Sequence, residues 1–151
     1  MSFLHRLSPF LMLLAFCLAA MASAQAREMV SVQRDEVNLR AGAGTRHDTL
    51  WVLSRGYPLE VTGRKGQWLR VRDFENDTGW IFRPLVGNRP HHVVKGQVVN
   101  LRSSPSTRAR IVGKATRGEV LRTLERRPQW VKVQQDDGPR GWVARRLLWG
   151  W

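Results

Sequence analysis

Few residues in this chain are of types and spacings that do chemistry. Gly42-Ala43-Gly44-Thr45 spells part of a phosphate-binding loop. Such a loop needs Gly-Lys-Ser/Thr running into a helix so that backbone N–H groups and a lysine close on the anion. Neither the lysine nor a helical pattern follows, so the stretch reads as a tight turn. The histidines beyond the N-terminal segment are His47, His91 and His92, and none has a His-Glu-x-x-His partner. His91-His92 could ligate a metal, but the pair sits in a Gly- and Pro-punctuated stretch and reads as a solvated linker. The carboxylates group as Asp35-Glu36, as Asp73, Glu75 and Asp77, and as Asp136-Asp137, beside turn residues, where carboxylates bond the backbone. No serine has a visible activating base. We therefore expect no catalytic residue, no metal and no cofactor.

The N-terminus carries one arginine, Arg6, an apolar run from Phe10 to about Met21, and Ala22-Ser23-Ala24. That order of basic, apolar and small residues is a secretory signal peptide over residues 1–24. The run is shorter than the roughly 20 residues that span a bilayer. Leu14-Ala15-Phe16-Cys17 has lipoprotein spacing, but Phe16 is too bulky for the position before the cysteine. Cleavage after Ala24 would remove Cys17, the one cysteine, leaving neither a disulfide nor a thiol nucleophile. The expectation is an exported protein, periplasmic or secreted.

The chain has 25 Lys+Arg against 12 Asp+Glu, a formal net charge of +13. Only Lys65, Lys95, Lys114 and Lys132 are lysines, so the positive surface is mostly guanidinium, whose planar fork suits carboxylates and phosphates. Anionic partners or simple solubility both account for such a balance. With no arginine-rich helix, zinc-finger spacing or RNP-type motif, nucleic acid is not expected as a partner.

The organising feature is a repeat. Val37-Asn38-Leu39-Arg40 returns as Val99-Asn100-Leu101-Arg102, at an offset of 99 − 37 = 62 positions. Without a gap, Arg55-Gly56 falls on Arg117-Gly118, Gln67-Trp68 on Gln129-Trp130, and Gly79-Trp80 on Gly141-Trp142. This is a duplicated domain. Within each copy the period is two: Leu69 and Val71 alternate with Trp68, Arg70 and Arg72, and Val131 and Val133 with Trp130, Lys132 and Gln134. Short alternating strands between Gly, Pro and Asp clusters predict an all-β fold. The boundaries predicted are residues 28–88 and 93–149, joined through Val86 to Val93.

Asn-Leu-Arg followed by Gly-Ala-Gly-Thr, a later Arg-Gly, a strand opened by tryptophan and a closing Gly-Trp-Ile resemble the bacterial SH3-like domain. The resemblance runs from Val32 to Val86 and from Val94 to Leu148. Copy two departs from it at Ser104-Pro105-Ser106 and places Gly113 where copy one has Trp51. The family implies two tandem small SH3-like β-barrels and a noncatalytic binding role, in bacteria often toward cell-wall peptidoglycan peptides.

If Leu69, Val71, Val131 and Val133 point inward, then Trp68, Arg70, Arg72, Trp130 and Lys132 point outward, an arrangement resembling the aromatic groove of SH3 domains. These five are the expected ligand-binding residues; the alternative is that each tryptophan lies over a hairpin and closes a small core. Trp80 and Trp142 are expected to be structural, with Ile81 and Val143 facing the opposite way. Trp149 and Trp151 either make a weak membrane-surface contact or pack on the second domain. The expected partner is cell-wall peptidoglycan peptide or another anionic envelope component. An adaptor for an envelope protein and a peripheral protein on anionic lipid are the alternatives.

Overall fold

The computed structural model describes residues 25–151; the signal-peptide reading of residues 1–24 lies outside them. The described residues contain no α-helix. In domain 1 the strands are β1 (Met29–Val32), β2 (Val37–Arg40), β3 (Thr49–Leu53), β4 (Pro58–Lys65), β5 (Trp68–Arg72), β6 (Thr78–Phe82) and β7 (Val86–Gly87). Domain 2 repeats them as β8 (His91–Val94), β9 (Val98–Arg102), β10 (Ile111–Thr116), β11 (Val120–Arg126), β12 (Trp130–Gln134), β13 (Arg140–Ala144) and β14 (Leu148–Gly150). Their sheet orders are β3-β2-β6-β5-β4-β1-β7 and β10-β9-β13-β12-β11-β8-β14. These are two SH3-like domains of one topology, each a sheet wrapped about its own core, with no ladder joining the end strands.

Alternation builds both cores. Val37, Leu39, Leu59, Leu69, Val71 and Ile81 are buried in domain 1, and Val99, Leu101, Leu121, Val131, Val133 and Val143 in domain 2. A unit this small has one apolar layer, so nearly every inward position must contribute to it. The Gly before each closing tryptophan follows from that density. A Cβ on Gly79 would come within 2.6 Å of the Leu39 side chain, and one on Gly141 within 2.8 Å of Leu101.

The glycine-rich stretch is a turn. Ala41 N–H donates to the Asp48 carbonyl (2.9 Å), Gly44 N–H to Gly42 (3.0 Å) and His47 N–H to Gly44 (3.3 Å). Copy two makes the same three bonds at Ser103–Arg110 (2.9 Å), Ser106–Ser104 (2.8 Å) and Ala109–Ser106 (3.1 Å). Arg40 and Arg102 close these loops by donating to the His47 and Ala109 carbonyls, each at 3.0 Å. A Cβ on Gly42 would lie 2.6 Å from the His47 ring; in copy two the histidine becomes Ala109, and Ser104 fits where glycine stood.

The expected linker is mostly strand, and this corrects the reading of His91-His92 as a solvated pair. Both histidines lie in β8, and His92 is buried. Its Nδ1 pairs with Thr123 Oγ1 (2.6 Å) and its Nε2 with the Trp151 carbonyl (2.8 Å). Pro90 ends the connection rather than continuing it, because β8 begins at the next residue. The two domains touch. Gly56 (φ +82°) brings its turn so close to domain 2 that a Cβ would meet His91 at 2.7 Å and Val120 at 3.2 Å. From domain 2, Arg117 bonds Glu75 (3.0 Å) and lies 5.2 Å over the Phe74 ring.

Gly79→Ala and Gly141→Ala should each lower stability by about 1–3 kcal/mol through overpacking, measured by urea unfolding. Burial pushes the His92 imidazole down to about 4, the Trp151 carbonyl opposing and Arg145 and Arg126 adding to the fall. Between about pH 6.5 and 4 the unfolded chain therefore binds a proton that the folded chain excludes, so stability is highest above this window and falls as pH falls through it. The loss at this residue is on the order of 3 kcal/mol, and it should be absent from the pH profile of His92→Gln.

Candidate functional site

The outward face of domain 1 is assembled by register. Arg40 of β2, Trp80 of β6 and Arg70 of β5 stand side by side across three strands. Trp68 pairs with Phe82 in the adjoining row, their ring centroids 5.4 Å apart and tilted by 46°. Trp68, Trp80 and Phe82 are half-buried, whereas Leu69, Val71 and Ile81 behind them are fully inside. The result is an aromatic platform edged by guanidiniums, which can stack on flat or extended groups and bond carboxylates at its rim.

Trp68 and Arg70 thus stand together, and Arg72 stands apart. Arg72 faces Glu60, donating to its carboxylate at 2.6 Å, and half of that pair is shielded from water. The ion pair ties β5 to β4 and engages one nitrogen of the Arg72 guanidinium. Trp80, expected to be structural, joins the platform instead: alternation sends Gly79 and Ile81 inward and the residue between them out.

Domain 2 carries the same positions with a different surface. Trp142 is buried, with the Arg127 guanidinium 4.6 Å over its ring and the Lys132 ammonium 5.9 Å away. Trp130 pairs with Ala144, where domain 1 has Trp68 against Phe82. Trp130 and Lys132 therefore share a face as expected, but one aromatic is replaced by alanine and another lies beneath an arginine. The C-terminal aromatics are part of the domain. Trp149 pairs with Val93 in β8 and has Arg27 5.8 Å over its ring.

The structure adds an apolar edge that pattern reading did not single out. Leu50, Trp51 and Val52 of β3 are 45%, 54% and 61% exposed, and β3 pairs on one side only. At the matching place in β10, Pro139 sits so close that a Cβ on Gly113 would come within 2.6 Å of it. Proline thus covers in domain 2 what tryptophan leaves bare in domain 1. Among the described residues, no three of His, Cys, Asp or Glu gather closely enough to hold a metal ion. Asp73 is raised above the ordinary carboxylate value by burial, while its two backbone bonds, from Glu75 N–H (2.8 Å) and Asp77 N–H (2.9 Å), oppose the rise. It organises the hairpin, as its turn context implied.

Two segments, residues 35–87 and 97–148, match the bacterial SH3 domain model. The chain belongs to the bacterial SH3 domain family. As a tandem member it is 23% identical, over 86% of its length, to a putative N-acetylmuramoyl-L-alanine amidase, YrvJ, of Bacillus subtilis (strain 168), and spans 27% of that relative. Among solved structures it is similar to NlpC1 from Trichomonas vaginalis, at 16% identity and a TM-score of 0.35, covering 85% of this chain and 48% of the other. An NlpC/P60 family protein from Bacillus cereus ATCC 10987 is 14% identical with a TM-score of 0.34, covering 81% and 56%.

Trp51→Lys should change unfolding free energy by no more than about 0.5 kcal/mol, since the side chain lies mostly in water. The same variant should bind less of an environment-sensitive apolar dye than wild type; equal dye binding would show that the edge is not an accessible apolar surface.

Proposed function

We propose that this bacterial SH3 pair is an exported, noncatalytic protein that binds cell-wall peptidoglycan peptide through the outward platform of domain 1. The observation that carries the reading is the row Arg40–Trp80–Arg70 beside the Trp68–Phe82 pair. Half-buried aromatics with guanidinium neighbours suit an extended peptide with carboxylates along it. The matched amidase supports a place at the cell wall, outside the cytoplasm, and the N-terminal signal pattern agrees with it. A catalytic role has no support among the described side chains: Asp73 is bonded within its hairpin and His92 within the core of domain 2. The basic surface contributes a long-range attraction to the anionic wall that salt screens, whereas the platform contact survives salt.

Domain 2 then acts as the supporting copy, its Trp142 covered by Arg127. Residues 25–151 should pellet with purified sacculi at both low and high salt. Trp68→Ala combined with Trp80→Ala should weaken high-salt pelleting by at least about tenfold, the scale of losing a central aromatic contact, whereas Trp130→Ala should leave most of it. Wild-type protein that stays in the supernatant once salt is raised would reduce wall binding to charge alone and turn the search to protein partners.

A further inference from the structure

Between the two domains lies a cleft of about 1410 Å³. Domain 1 lines it with Asp35 and Arg55, the connection with Arg89, and domain 2 with Arg122, Asp136 and Asp137. We propose that this cleft binds a short zwitterionic peptide, its carboxylate held by Arg89 and Arg122 and its ammonium by Asp136 and Asp137.

The register puts the two arginines on one wall. Arg122 of β11 pairs with His91 of β8, and the His91 Nδ1 bonds the Arg89 carbonyl at 2.9 Å. Burial lowers the His91 pKa, the bond to the Arg89 carbonyl opposes the fall, and the positive charges of Arg122 and Arg89 add to it. The opposite charge sits at the β12–β13 hairpin, where Asp136 and Asp137 follow Gln134 and Gln135.

Most uncharged polar side chains of the walls are already used. Ser31 Oγ donates to the Arg89 carbonyl (2.8 Å), Gln134 Nε2 to the Gln135 carbonyl (3.0 Å), Gln135 Nε2 to Glu119 (2.7 Å), and Thr123 pairs with His92. Among the described residues, the side chains of Arg89, Arg122, Asp136 and Asp137 make neither an ion pair nor a hydrogen bond. The unspent capacity of the cleft is therefore charge, of both signs.

The duplication shows where that capacity originates. Arg117, Phe74 and Glu75 meet across the interface, through a 3.0 Å ion pair and a 5.2 Å contact with the ring. At the 62-position offset their counterparts are Arg55, Asp136 and Asp137, which all line the open cleft. Arg55 instead makes a long 3.8 Å contact to Asp35, with both side chains more than two-thirds exposed. One side of the interface is closed by its own ion pair, and the matching side leaves room for a ligand.

The mixture of charges selects the ligand class. Asp35, Glu119, Asp136 and Asp137, four of the chain's 12 acidic residues, line this one cleft, which disfavours a polyanion. An apolar molecule would desolvate the charges without replacing their bonds. A peptide with both ends free satisfies both walls by charge-assisted bonds.

The test is calorimetric titration of residues 25–151, which contain both cores, with tetra-alanine, its N-acetylated form and its C-terminal amide. The free peptide should bind, and each blocking group should weaken binding by about tenfold or more. Arg89→Gln with Arg122→Gln should bind the free and amidated peptides equally. Asp136→Asn with Asp137→Asn should bind the free and acetylated peptides equally. All four side chains are exposed, so both variants should unfold at the wild-type midpoint. A D-alanine C-terminus in a further arm separates wall-derived peptides from ordinary ones. Equal binding of the free and blocked forms, or no binding at millimolar peptide, overturns the proposal. High-salt sacculus pelleting by Arg89→Gln/Arg122→Gln, where charge attraction is screened, should stay at the wild-type level, so failure of the cleft and failure of the platform are read separately.

Discussion

The contact between Leu39 and the bare backbone at Gly79 holds domain 1 in its working shape. Any side chain at that glycine would push β6 off β2, and with it the one apolar layer that a domain of this size can assemble. Because β6 lies close, the residue after the glycine emerges between Arg40 and Arg70, and the next aromatic, Phe82, lands beside Trp68. The aromatic platform is thus the outer side of a packing constraint whose inner side is the core. Leu101 and Gly141 repeat the constraint in domain 2.

Duplication kept the inward residues and released the outward ones. Where Phe82 stands in copy one, Ala144 stands in copy two; where Trp80 is half-open, Trp142 lies beneath Arg127. Compensation is visible within single loops as well. A histidine next to a glycine in one copy becomes an alanine next to a serine in the other, and the hydrogen bonds stay the same. Two copies of one scaffold therefore present different surfaces, and their unlike hairpins, Phe74-Glu75 and Asp136-Asp137, make the two sides of their interface unlike as well.

Much of this was legible from alternation. The inward positions of Val37, Leu39, Leu69, Val71, Val131 and Val133 follow from period two, as do the outward faces of Trp68 and Trp130. What escaped depends on contacts between residues far apart in the chain. His91 and His92 follow a proline and look like linker, yet β11 and β14 on either side turn them into a central strand. Trp142, unlike Trp80, has Arg127 over its ring, reaching it from a different strand connection. Arg72 gave no sign that its partner would be Glu60, because the register between β4 and β5 shifts at a bulge. The cleft depends on how two folded units meet, and no local pattern carries that.

The bare edge of β3 sets how the protein behaves in crowded solution. An unpaired strand with Leu50, Trp51 and Val52 uncovered is a template for another strand, including the same strand of a second molecule. The large positive charge keeps such edges apart while its field reaches beyond the surface, a range of about 10 Å at 0.1 M salt. Added salt shortens that range without weakening the apolar attraction. Salt therefore loosens the protein's hold on anions and, through the same screening, draws its own copies together.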